Sequence, residues 1–219
     1  MPYRTVPFYN EGIYHIYNRG VDRQNIFLIN RDRQRFLKTV GYYQIQNPKP
    51  KFSTYQVAKT FPIDEDKRIV EIIAYCLMPN HFHLLVQQSK DGGITEFTRK
   101  FIHSYTKYFN VKHKHEGPIL TGTFKAVPID SDEQFLHVSR YIHLNPLVAK
   151  LIPSLTIYPW SSYGSYIENK PAPFPLLKEK VLGMFRHTKD YEKFVLDQTA
   201  YGETIEMIKH EALDLDMPH

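Results

Sequence analysis

The residues best suited to chemistry in this 219-residue chain are two histidines set two apart, His81 and His83, in the stretch EIIAYCLMPNHFHLLVQ from Glu71 to Gln87. The apolar run Ile72 to Leu77 predicts a strand, Met78-Pro79-Asn80 a tight turn, and His81 opens a second strand. Alternate residues of a strand project to one face. His81 and His83 therefore stand side by side, while Phe82 and Leu84 turn toward apolar surroundings. Two neighbouring imidazoles on a rigid strand suit a divalent metal once a third ligand arrives from elsewhere. Without that ligand they are two solvent-facing histidines on an edge strand.

The missing ligand has a candidate far along the chain. Ser131-Asp132-Glu133-Gln134 is a capping box that opens a helix, and Pro146 predicts its end, giving a helix from about Asp132 to about Leu144. Tyr141 and Asn145, four apart, share a face one turn from each other. The amide oxygen of Asn145 can be the third ligand, which brings the Tyr141 hydroxyl into the same pocket. A phenol, with an ordinary pKa of about 10, is a poor nucleophile at neutral pH unless a metal or base assists. A metal that polarises a phosphate oxygen makes the phosphorus a better target instead. The chemistry that follows is attack on a phosphodiester with a covalent phosphotyrosine link. His137, one turn before Tyr141, is an alternative ligand or a proton relay. The plainer alternative is a tyrosine packed on a sheet and an asparagine capping a helix.

Other elements must position these groups. Gly12 to Arg19 alternates, with Ile13, His15 and Tyr17 on one face and Tyr14, Ile16 and Asn18 on the other, and predicts a strand ended by Gly20. Asn30 is the expected N-cap of a helix through about Gln46, with Phe36, Leu37, Val40 and Tyr43 at helical spacing. Asn47 to Asp66, with three prolines, reads as a connector rather than a core element. Thr95 to about Lys114 predicts a long helix with Phe97, Phe101, Tyr105 and Tyr108 along one side. Ile119 to Ile129 predicts one or two short strands. Beyond the proline-rich joint from Lys170 to Pro175, Leu176 to Gln198 and Thr204 to Leu213 read as helices.

Composition narrows the class. The net charge is +5, and it is unevenly placed: the first sixty residues carry ten Lys and Arg against three Asp and Glu. A basic N-terminal third implies a polyanionic partner. The 16 Tyr and 14 Phe can fill a core or stack on unpaired bases. Cys76 is the only cysteine, which excludes an intrachain disulfide and a thiolate zinc cluster. The N-terminus lacks a hydrophobic signal region and no apolar run approaches spanning length, so the expected location is the cytoplasm.

Pro79-Asn80-His81-Phe82-His83-Leu84-Leu85 resembles the His-hydrophobic-His motif of the HUH single-strand nucleases. Arg140-Tyr141-Ile142-His143-Leu144-Asn145-Pro146, Trp160-Ser161-Ser162-Tyr163 and the opening Tyr14 to Gly20 resemble signatures of one branch, the REP-associated tyrosine transposases of the single-tyrosine insertion-sequence type. The similarity runs over residues 8–167. It implies an α+β fold, ferredoxin-like or RRM-like, with an antiparallel central sheet flanked by helices. The implied layout is a catalytic domain over residues 1–167 and a C-terminal helical extension over residues 168–219. It further implies Mg²⁺ or Mn²⁺ held by His81, His83 and Asn145, with Tyr141 as the single nucleophile. Such enzymes nick single-stranded DNA beside a hairpin, keep the 5′ end as a phosphotyrosine, release a 3′-OH, and can rejoin strands. One family segment is altered here: Gly117 and Phe124-Lys125 are kept, but Thr123 stands where an arginine is expected.

On this reading the partner is single-stranded DNA with REP-like hairpins, as a monomer or homodimer. Stems would be held through phosphates by Arg19, Arg23, Arg31, Arg33, Arg35, Lys100, Lys107 and Lys125. Two other classes are open: a host-adopted hairpin-binding protein that no longer cuts, and a metal-free RNA binder using the aromatics and the basic helix.

Overall fold

Alternation in the sequence becomes a two-faced sheet in the computed structural model, which describes residues 7–58 and 66–197. Four strands, β1 (Ile13–Arg19), β2 (Val70–Leu77), β3 (His81–Gln88) and β4 (Lys125–Ile129), form one antiparallel sheet in the order β2-β3-β1-β4. Helices α1 (Asn30–Tyr43) and α3 (Gly93–His113) cover one face, and α4 (Asp132–Val148) covers the other. The expected α+β architecture is observed, with an antiparallel sheet between helices.

The face under α1 and α3 is aromatic. Ile16, Phe82 and Leu84 from the strands meet Phe36 of α1 and Phe97, Phe101 and Tyr105 of α3, all buried. The rings of Phe36 and Phe82 are 5.1 Å apart, and those of Phe36 and Phe101 5.4 Å, in the tilted and edge-on arrangements aromatic pairs prefer. Asp32 joins the two helices. Its buried carboxylate accepts the backbone N–H groups of Leu28 and Ile29 at 2.9 and 3.0 Å, the Tyr108 hydroxyl at 3.0 Å, and His113 Nε2 at 3.1 Å. The cap of α1 is thus Asp32 reaching back over the first turn, and the expected N-cap Asn30 is already helical.

A bulge in β2 sets which residues reach the other face. Ile72 pairs with Val86 and Ala74 with Leu85, so Ile73 is the extra residue. Ile73, Ala74 and Cys76 consequently pack with Leu85 beneath α4, while Tyr75 and Leu77 stay with the aromatic core. The outer edge of β2 is covered rather than open: Leu77 N–H bonds to the Trp160 carbonyl at 2.9 Å, and Ser162 N–H to that of Tyr75 at 3.0 Å.

Three expectations are corrected. Residues 52–58 form a helix, α2 (Phe52–Ala58), within the supposed connector, because Phe52 finds a buried place against Tyr42. Helix α4 does not stop before Pro146 but continues to Val148. Proline removes only its own N–H, and the Asn145 and Pro146 carbonyls still accept from Ala149 and Leu151 at 3.0 Å each. In place of one long helix after the proline joint there are two short ones, α6 (Glu179–Leu182) and α7 (Thr188–Leu196), preceded by α5 (Tyr163–Ile167). The expected helix from Thr204 to Leu213 lies outside the described residues.

Residues 168–197 pack into the body of the fold. Phe174 is buried 5.4 Å from the Tyr75 ring, Leu177 N–H bonds to the Ile72 carbonyl at 2.8 Å, and Tyr191 and Val195 of α7 are buried beside α4. No helix among the described residues is long and apolar enough to cross a membrane.

Candidate metal centre and nucleophile helix

The paired histidines owe their place to the β2–β3 hairpin and to β1 beside it. Met78 N–H bonds to the His81 carbonyl at 2.9 Å, closing the turn so that β3 begins at His81. Across the sheet, Arg19 is in register with His81 and Tyr17 with His83. The turn is pinned by Gly20, whose N–H bonds to the Asn80 carbonyl at 2.7 Å. A Cβ at Gly20 would lie 2.0 Å from the Gln24 carbonyl oxygen, so a side chain there would force the two segments apart.

His81 is half-buried at the strand end, and His83 is fully buried one pleat in, with ring centroids 4.9 Å apart. The Asn80 side chain assigns the tautomer of His81. Its Nδ2 donates to the Arg23 carbonyl at 3.1 Å, which turns Oδ1 toward His81 Nδ1 at 2.7 Å. Since Oδ1 can only accept, the His81 proton sits on Nδ1 and its Nε2 is a lone pair. His83 Nε2 is also buried and has no hydrogen-bond partner.

Helix α4 brings the other two groups. Ser131 Oγ accepts the Gln134 N–H at 3.1 Å, as the capping box requires, while the Gln134 side chain accepts from Asp130 N–H at 2.6 Å. From that start the helix places Tyr141 over the sheet, its ring edge-on to His83 at 5.3 Å. Tyr141 is 5% exposed. Asn145, one turn on, turns its Nδ2 back to the Tyr141 carbonyl at 3.1 Å, and its side chain lies beside His81, where it favours the protonated ring. With the Nδ1 proton of neutral His81 already taken by Asn80, the amide oxygen and the remaining imidazole lone pair are two acceptors side by side, which a cation between them would satisfy. The continuation of α4 through Pro146 keeps this geometry.

Burial holds the imidazoles neutral. His81 is lowered to about 4 by desolvation, opposed by the Asn145 hydrogen bond and reinforced by Arg19. His83 is pushed well below the usual histidine range by desolvation, and then by His81 and His15. Neutral imidazoles are lone-pair donors at neutral pH, the form a cation takes.

A divalent metal fits this donor set. The His81 and His83 rings lie 4.9 Å apart, Asn145 lies beside His81, and His83 Nε2 is a buried nitrogen left unsatisfied, a cost that a cation would relieve. No group of three or more His, Cys, Asp or Glu suited to a metal occurs among the described residues, so the third position depends on an amide. Two imidazoles and an amide carry no net charge and leave further coordination positions for water or phosphate oxygens.

The other expected residues are scattered. His137 lies toward α7, its ring edge-on to Phe194 at 5.7 Å. Arg33 stacks over Phe27 and Trp160 at 5.6 and 5.7 Å. Arg35 lies over Phe52 at 4.3 Å and donates to Gln56. Lys100 pairs with Glu96 at 2.6 Å. Arg23, Arg31, Lys107 and Lys125 are exposed, and Arg19 is half-buried beside His81. One residue at the centre carried no expected role. His15 of β1 is 1% exposed, with Nε2 2.9 Å from His83 Nδ1. Its alternation with Tyr17 placed it on a defined face, but only the β1–β3 register sets that face against His83.

A four-stranded antiparallel sheet with paired strand histidines near a helical tyrosine defines an α+β protein with a candidate site between the sheet and α4. Comparison narrows that class. The family described as "Transposase IS200 like" matches residues 52–145, which span the hairpin and α4 as far as Asn145. A REP-associated tyrosine transposase, solved bound to a REP hairpin, aligns with a TM-score of 0.54 at 15% identity, over 81% of this chain and 93% of that one. No curated protein matches the chain. The resemblance read from the short motifs is thus borne out by the family match, and the fold by the structural one.

Proposed function

We propose that the protein is a metal-dependent single-strand DNA nicking and joining enzyme of the transposase type, acting beside DNA hairpins through a tyrosine nucleophile. The observation that carries this reading is the buried, partnerless Nε2 of His83, whose ring packs edge-on against both the His81 ring and the Tyr141 ring. A structural tyrosine would not need two neutral imidazoles and an amide gathered beside it. The likeness to a transposase solved with a REP hairpin, and the basic first sixty residues, support a hairpin DNA partner.

His81, His83 and Asn145 would hold Mg²⁺ or Mn²⁺, which supplies Lewis-acid polarisation of a non-bridging phosphate oxygen. Tyr141 does the bond-making. Its phenolic oxygen attacks phosphorus as the P–O3′ bond breaks, leaving the 5′ phosphate on Tyr141 and a 3′-OH. The phenol's proton ends, overall, on the departing 3′ oxygen. One phosphodiester is exchanged for another, so a second 3′-OH can reverse the step and join strands. Helix α4 holds the phenol over His83, and its burial keeps water from competing. Arg19, at the strand end beside His81, and the exposed Arg23, Arg31, Lys107 and Lys125 are the cations we assign to phosphates.

The test is incubation of labelled hairpin oligonucleotides with Mn²⁺, followed by denaturing electrophoresis. The wild-type chain should form a covalent protein–DNA adduct. Tyr141→Phe should lose it by at least about 1,000-fold while still binding the hairpin. Adduct formation persisting in that variant would remove Tyr141 from its role.

A further inference from the structure

We infer that His15 is a positioning residue for His83: it accepts the Nδ1 proton of that ring and so presents Nε2 to the site as a lone pair. The inference rests on the metal reading above and deepens it. His15 lies on β1, outside the residues matched to the transposase family, and its ring stacks near that of His83 at 5.1 Å. Its Nε2 and His83 Nδ1 are 2.9 Å apart, both rings fully enclosed.

One hydrogen can occupy that gap, so one ring donates and the other accepts. If His15 donated, neutral His83 would carry its proton on Nε2. That would leave a buried N–H with no acceptor, which is the rarer and costlier orphan. If His83 donates from Nδ1, the orphan is a lone pair, the form a cation completes. The strands make this choice without reference to DNA. His81 has its Nδ1 proton held by Asn80, and His83 has its own held by His15, so both ligands offer Nε2.

The acceptor is also unusual in kind. Metal-bound histidines commonly donate their second N–H to a carboxylate or a carbonyl. An imidazole acceptor orients the ring without adding negative charge beside a site that must admit a phosphodiester.

The test reads the proton and the metal separately, on the full chain. In the metal-free wild type, two-bond ¹H–¹⁵N correlation spectra should show His83 protonated at Nδ1, its signals assigned by their loss in His83→Ala. Protonation at Nε2 would overturn the proposal, and this reading needs no folded variant of His15. Mn²⁺ binding, followed by electron paramagnetic resonance, should weaken about 10- to 100-fold in His15→Phe. It should recover in part in His15→Gln, whose amide oxygen can accept. Wild-type Mn²⁺ affinity in a folded His15→Phe also overturns it. His83→Ala separates the two ideas: loss of Mn²⁺ there with no change in His15→Phe sinks the positioning role alone. Wild-type affinity in His83→Ala sinks the metal reading itself.

Discussion

The two faces of the sheet are built from the same strands but from different side chains. Toward α1 and α3, β3 presents Phe82, Leu84 and Val86, which meet Phe36, Phe97 and Phe101 in a continuous aromatic packing. Toward α4, the same strand presents His83 and Leu85, and the buried groups there include His15, His143, Ser139 and Ser162. His143 bridges two hydroxyls, Tyr191 on α7 and Ser162, each at 2.7 Å, and Ser162 Oγ accepts the Tyr75 N–H of β2 at 2.9 Å. That network ties the helix carrying Tyr141 to the sheet edge and to α7. The first face gains stability from area buried, which tolerates small displacements. The second depends on directed hydrogen bonds, which do not. The nucleophile role proposed for Tyr141, which would have to meet phosphorus in line, needs the second kind of support.

The largest effect should come from emptying the aromatic face. Phe101→Ala should lower the unfolding free energy by about 3–5 kcal/mol, measured by urea denaturation, while the folded fraction keeps its Mn²⁺ affinity. His83→Ala should instead abolish Mn²⁺ binding, at a stability cost of about 1–3 kcal/mol because it leaves a cavity and takes the partner from the buried His15 Nε2. If both variants lost stability equally and kept the metal, the contrast between the faces would be wrong.

Asp32→Asn tests the buried carboxylate of the aromatic side. Its carboxylate takes four donors, and the amide would set an N–H₂ against one of them. A loss of about 1.5–3 kcal/mol is expected, against no change in adduct yield per folded molecule.

Acid should instead act on the α4 side. His15 and His143 are each lowered to about 3 by burial, whereas in the unfolded chain they titrate near the ordinary value of 6.5. Between those limits the unfolded state binds more protons, so stability is full above about pH 6.5 and falls as the pH drops toward 3. Each histidine should contribute up to about 1.4 kcal/mol per pH unit. Replacing His143 by Gln should flatten the acid limb of a denaturation series; an unchanged slope would mean that the ring is not neutral in the fold.

The smallest effect concerns the phosphate contacts proposed outside both faces. Arg23→Ala should reduce the slope of log affinity against log salt by about 1 on a hairpin oligonucleotide. Arg35→Ala, whose guanidinium lies over Phe52, should leave that slope unchanged and lower stability instead.

The sequence by itself determined the local elements and the direction of their side chains. A period of two placed His81 and His83 on one face with Phe82 opposite, a period near 3.6 ran Phe97, Phe101 and Tyr105 along α3, and Ser131 with Gln134 marked the start of α4. Each of these is written within a few neighbouring residues, where backbone geometry alone sets the pattern. The tertiary structure decided what no short window contains. The β1–β3 register put His15 against His83, and packing carried α4 through Pro146, so that Asn145 stays one turn from Tyr141. Aromatic rings from distant segments lie against Arg33 and Arg35, contacts that the basic composition alone does not reveal. Register and packing are chosen by the sum of many long-range contacts, and a site assembled from β1, β3 and α4 exists only after that choice is made.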